Sequence, residues 1–111
     1  MEYKNYSEYA FSSALAVHRP NGLAIWYLLC SYAYYHLDTS LLSDETYDAL
    51  CKELIEQFPD VTHHHAKLID LEALKAGTGF QMKISQYPMI VRTTAAMLAR
   101  AINGGNEHGK A

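Results

Sequence analysis

Tyr34, Tyr35, Asp44, Tyr47 and Asp48 flank a single short polar stretch, Asp38-Thr39-Ser40, and form the most chemically distinctive set in the chain. Tyrosine faces stack on flat aromatics and attract cations, at about 0.5 to 1 kcal/mol when exposed and about 2 when desolvated. Carboxylates accept hydrogen bonds from sugar hydroxyls and amides. Together these groups suit a nucleoside that carries a positively charged ring. The same residues also fit a plain helix hairpin in which the tyrosines pack and the aspartates cap. No nucleophile paired with a base accompanies them, so the pattern points to binding without catalysis.

Two helices must bring the set together. Leu23, Ile25, Trp26, Leu28, Leu29 and Tyr32 make residues 21–37 apolar nearly all round, which marks a helix at the centre of a core. After the polar stretch, Ser43 or Asp44 can cap a helix over 44–58, whose inward stripe is Tyr47, Leu50, Cys51, Leu54 and Ile55. If these helices are antiparallel neighbours, the last turn of one meets the first turn of the other. Asp44 and Asp48, four residues apart, then share a face. The amides of that first turn can also help to hold a phosphate, partly offset by the two aspartates.

Three more helices complete the expectation. Residues 3–17 place Tyr6, Tyr9, Ala10, Ala14 and Val17 at helical spacing, and Pro20-Asn21-Gly22 breaks that run. Pro59 ends the helix over 44–58, and Asp60 or Thr62 can cap a fourth helix over 61–75, closed by Gly77-Thr78-Gly79. Phe80 to Tyr87 reads as a loop. A last helix spans 88–102, starting at Pro88, and 103–111 reads as a flexible tail. The fold class is therefore all-α: one domain over 1–102, a bundle of about five helices with a central helix-turn-helix hairpin at about 21–60.

Other features have plainer readings. His63-His64-His65 on a helix point about 100° apart and cannot jointly chelate one ion, so they read as solvated and no metal is expected. Gly77-Thr78-Gly79 lacks the Gly-Lys-Ser/Thr of a phosphate loop. Tyr3, Tyr6 and Tyr9 read as core packing, and Arg92 and Arg100 as a solvated face. Cys30 and Cys51 sit in apolar helical patterns rather than at metal or redox spacings, which fits reduced core thiols in a cytoplasmic protein.

The composition sets the outer bounds. Half of the 111 residues are apolar and a fifth charged, as in an ordinary globular domain. A net charge of -3 provides no basic surface for gripping phosphate backbones, so direct nucleic-acid binding is disfavoured. The apolar run 23–35 falls short of the roughly 20 residues that a membrane span needs, and the first residues lack the order of a signal peptide.

One segment resembles a known family. Tyr32-Ala33-Tyr34-Tyr35-His36-Leu37-Asp38, then Leu42-Ser43-Asp44-Glu45-Thr46-Tyr47-Asp48-Ala49-Leu50-Cys51-Lys52-Glu53-Leu54 and Phe58-Pro59-Asp60, is similar to the small N-terminal helical domain of bacterial NAD-dependent DNA ligases. That domain closes over NAD and holds its nicotinamide mononucleotide (NMN) half. The resemblance implies ligand contacts at Tyr34, Tyr35, Asp44, Tyr47 and Asp48. Tyr35 stands where the family usually has histidine, with His36 displaced by one position, and Ser40 and Thr46 replace the usual proline and glutamate.

No Lys-x-Asp-Gly adenylation motif is present, since Lys67-Leu68-Ile69-Asp70 has the wrong spacing, so neither ligation nor adenylation is expected of this chain alone. The resemblance implies a detached, non-catalytic module that binds NMN, NAD or a related nucleotide and requires no cofactor. The alternative is a phage-type interaction factor or inhibitor that uses the hairpin as a scaffold and binds a host protein, such as a ligase or an NAD-using enzyme.

Overall fold

The structure is a computed structural model that describes residues 6–18, 20–76 and 83–107. Those residues form five α-helices and three short 3-10 turns, with no strand among them. The helices are α1 (Tyr6–His18), α2 (Asn21–His36), α3 (Asp44–Gln57), α4 (Leu71–Ala76) and α5 (Met89–Glu107). An all-α bundle is thus the observed class.

Helix α2 is the axis of the bundle because it has almost no polar face to turn outward. It is buried from Gly22 to Ala33 except at Ile25, and α1, α3, α5 and the 3-10 turn His64–Leu68 all pack on it. Phe11 of α1 meets Trp26 edge-on at 5.4 Å between ring centres. From the α5 side, Tyr87 is 1% exposed and shares a 2.7 Å hydrogen bond with the Ser31 hydroxyl. Its ring also packs edge-on against Tyr32 and His36.

The connection from α2 to α3 is built by local chemistry. Asp38 adopts a left-handed backbone (φ 53°), a conformation that aspartate tolerates better than most non-glycine residues. The chain turns back so that the amides of both Leu37 and Thr39 donate to the Ala33 carbonyl at 3.0 Å. Leu41 and Leu42 are buried and anchor the loop. Ser43 then caps α3, its hydroxyl oxygen accepting from the Thr46 amide at 3.2 Å.

The fourth helix expected over 61–75 is interrupted. His64–Leu68 forms a 3-10 turn, Ile69 is extended and buried, and α4 begins only at Leu71. The cause lies at Asp70, whose carboxylate accepts from the amides of Glu72 and Ala73 at 3.1 and 3.2 Å and so starts a new helix. The cap of the turn is His63 rather than Asp60 or Thr62: its Nδ1 accepts from the His65 amide at 3.1 Å. Thr62 is engaged elsewhere, since its amide donates to the Asn21 side chain at 2.8 Å and ties the turn to the start of α2.

The C-terminal region also departs from expectation. Within the segment Phe80 to Tyr87, Ile84–Gln86 is a 3-10 turn, and Tyr87 belongs to the core. Helix α5 continues past Ile102 to Glu107, where a tail was expected; its two glycines cost about 1 kcal/mol each but no proline blocks the backbone. Arg92 is not merely solvated, because its Nε donates to the Tyr87 carbonyl at 3.2 Å. Gly77-Thr78-Gly79, Phe80 to Met82 of the expected loop and residues 108–111 lie outside the described residues, as do Tyr3 and the side chains of Tyr6, Tyr9 and Val17.

Tyr87 therefore fastens α5 to α2. Tyr87→Phe, which removes only the hydrogen bond to Ser31, is expected to lower unfolding free energy by about 1 kcal/mol. Tyr87→Ala should cost about 3 to 5 kcal/mol. Urea denaturation checks both values.

Candidate functional site

The five residues singled out in the sequence divide into packed and open positions. Tyr34, at the last turn of α2, is 62% exposed, and its ring meets that of Tyr35 edge-on at 5.1 Å. Asp44 and Asp48 are exposed on α3, while Tyr35 and Tyr47 are half-buried. The Tyr47 ring stacks on Tyr27 of α2 at 6.4 Å with 15° between planes, which sets the lateral position of the first turns of α3. Its hydroxyl hydrogen-bonds to Cys51 one turn further on.

Tyr27 carries the contact between α2 and Tyr47. Burial pushes its phenol well above the usual range, with Cys51, Tyr35, Tyr87 and Asp70 each opposing ionisation further. Tyr47 meets the Tyr27 side chain by ring stacking. Tyr47 is raised in the same way, first by burial and then by Cys51 and Tyr27. Neither phenol ionises near neutral pH, so both act as neutral hydrogen-bonding and packing groups.

Cys51 behaves similarly. Burial pushes its thiol up, the hydrogen bond from Tyr47 partly offsets this, and Asp48 adds to the rise. Cys30 is fully buried, and the two sulfurs are not joined in a disulfide. The inert thiol and phenols leave the carboxylates of Asp44 and Asp48 as the charged groups of this face. Because Ser43 supplies the cap, Asp44 is not needed for it.

The histidine run is more compact than helical spacing suggested. The rings of His63, His64 and His65 lie 4.0 to 4.9 Å apart, because the segment is a tight turn rather than an α-helix. His65 is held below the usual imidazole range by burial and then by His64, His63 and Lys67. Among the described residues, no group of three His, Cys, Asp or Glu side chains is placed to hold a metal ion. Nor is any helix among them long and apolar enough to cross a membrane.

Two cavities lie away from the five residues. A groove of about 540 Å³ separates α1 from α3, and a smaller space of about 140 Å³ sits between α2, the histidine turn and α5. Sequence reading missed the groove because its walls come from helices that are not neighbours in the chain. Comparison with protein-family models, with curated proteins and with solved structures gives no match.

The burial of the sulfurs has a direct chemical consequence. At pH 8 the native protein should react with Ellman's reagent at Cys51 slowly and at Cys30 more slowly still, and both thiols should react rapidly in guanidinium. Equal rates in the native and denatured states would contradict the packing around Tyr47.

Proposed function

We propose that this chain is a non-catalytic module that binds nicotinamide mononucleotide or NAD on the face carrying Tyr34, Tyr35, Asp44, Tyr47 and Asp48. The observation that carries the reading is the capping of α3 by Ser43, which leaves the Asp44 carboxylate exposed beside that of Asp48. Capping by Asp44 is one part of the plain-hairpin explanation, and the Ser43 cap leaves that part unneeded. The exposed Tyr34 ring offers a face for a cationic nicotinamide, and the two carboxylates can accept from ribose hydroxyls and the carboxamide. The ligase-domain resemblance supplies the ligand class.

The reading is non-catalytic because the neighbouring reactive groups are switched off. Cys51 and Tyr47 are both held protonated by burial, so neither serves as a nucleophile at neutral pH. A second reading, in which a host protein such as a ligase or an NAD-using enzyme docks on the chain, is favoured by a different observation. Met89, Ile90 and Met97 of α5 are 65%, 63% and 59% exposed. Apolar side chains this open on one helix suit a protein contact.

Thermal unfolding with millimolar NMN or NAD separates the two. A ligand at about 100 times its dissociation constant adds about 2.7 kcal/mol, and each kcal/mol raises the midpoint by about 4 to 8 °C in a domain near this size. The expected result is a rise of at least about 10 °C that Asp48→Ala abolishes without unfolding the protein. No rise with either nucleotide would reject the nucleotide reading in favour of the protein contact.

A further inference from the structure

The histidine turn is closed by a side chain of its own. Nδ1 of His63 accepts a hydrogen bond from the His65 amide at 3.1 Å and so takes up a backbone donor at the start of the 3-10 turn His64–Leu68. An imidazole nitrogen accepts only while it carries no proton, so this bond requires the neutral ring with its hydrogen on Nε2. Protonation turns Nδ1 into a donor aimed at another donor. Asparagine, aspartate, serine and threonine cap in the same way without titrating near neutral pH, whereas histidine titrates at about pH 6.5.

The surroundings make a charged ring costly here. The rings of His64 and His65 lie 4.8 and 4.9 Å from that of His63 and 4.0 Å from each other. Burial, and then His64, His63 and Lys67, oppose protonation of His65 on the same turn. The elements packed against the turn present neutral groups: Asn21, Ile25 and Leu29 from α2, and Ile90, Val91 and Thr94 from α5. Asp60 and Asp70 bracket the turn in sequence. Asp60 is exposed, Asp70 accepts from the amides of Glu72 and Ala73, and neither is among the described groups that act on His65.

The turn packs on α2 and is pinned at both ends. At one end the amides of Thr62 and His63 donate to Oδ1 of Asn21 at 2.8 and 3.3 Å, and at the other Ile69 is buried in the core. Between the pins, His63 and His65 wall an apolar space of about 140 Å³ beside Ile25 and Leu29. We propose that this segment is an acid-released clasp on α2: protonation of His63 removes the cap, and the turn lifts from Ile25 and Leu29. A clasp that needs a neutral ring binds fewer protons closed than open, so closure holds above about pH 6.5 and weakens as pH falls below it. His65 acts in the same direction, since a titration lowered by folding also favours the closed form at the higher pH.

Hydrogen exchange of the intact, isotope-labelled chain tests this at the amides of His65, Ala66 and Ile69, which donate to His63 Nδ1, the His63 carbonyl and the Ala66 carbonyl. After correction for the intrinsic pH dependence of exchange, their protection should fall about tenfold between about pH 7.5 and about pH 5.5, the factor that one histidine titrating at about 6.5 allows. The amides of Leu50 and Leu54 in α3 should keep theirs. His63→Asn retains an acceptor that reaches the amide two residues on but does not titrate, so its protection should stay constant over this range. His63→Ala should lose protection at both pH values. Circular dichroism confirms that each variant folds, and His63→Asp, an acceptor that stays ionised throughout the range, replaces the asparagine variant if that one does not. Unchanged protection of the native sequence at the lower pH overturns the proposal, as does a fall shared equally by Leu50 and Leu54. So does a folded His63→Asn protein that loses protection on acidification as the native one does, because the sensitive group would then lie elsewhere.

Discussion

Helix α2 cannot be left in water on any side, and most of the structure follows from that constraint. Leu23, Tyr27, Leu28 and Ala33 point in different directions around the helix, yet each is 2% exposed or less. Full burial of one such large side chain contributes about 1.5 to 3 kcal/mol, so every uncovered face would be costly. Helices α1, α3 and α5 and the histidine turn each cover part of it. The Ser31–Tyr87 hydrogen bond satisfies hydroxyls that this arrangement takes out of water.

The covering of α2 also determines what α3 can display. Tyr27 holds Tyr47 by ring stacking, and Leu50 and Leu54 follow into the core, so one stripe of α3 is committed to packing. The remaining surface is divided. On one side lie the exposed Asp44 and Asp48; on the other lie Glu45, Ala49 and Glu53, facing α1. A single tyrosine pair, Tyr27 buried and Tyr47 half-buried, thus sets the orientation of two chemically distinct surfaces. The left-handed Asp38 and the Ser43 cap fix where the helix begins, and with it the register of both.

The hairpin was legible because its signals are local. A run apolar on all sides identified α2, and Ser43 with Asp44 marked the start of α3, since capping depends on residues a few positions apart. The histidine segment was misread for the same reason in reverse. Its sequence permits a helix, but Asp70 offered the backbone a competing cap, and burial of Ile69 required an extended link. Tyr87 and Arg92 gave no sequence signal, because their partners are a serine 56 residues away and a carbonyl at a turn. The α1–α3 groove was invisible for a related reason: it exists only once α2 has drawn two non-adjacent helices to its sides.

The account turns on whether the carboxylate and tyrosine face of the hairpin is open to a ligand while the buried stretch of α2 from Trp26 to Ala33 stays enclosed. A nuclear magnetic resonance titration of the isotope-labelled protein with NMN tests this residue by residue. The expected result is saturable shifts of the Tyr34, Tyr35, Asp44 and Asp48 amides, with those of Leu23 to Leu29 and of the α1–α3 groove unmoved. Shifts absent from the hairpin, or spread across the buried helix, would contradict it.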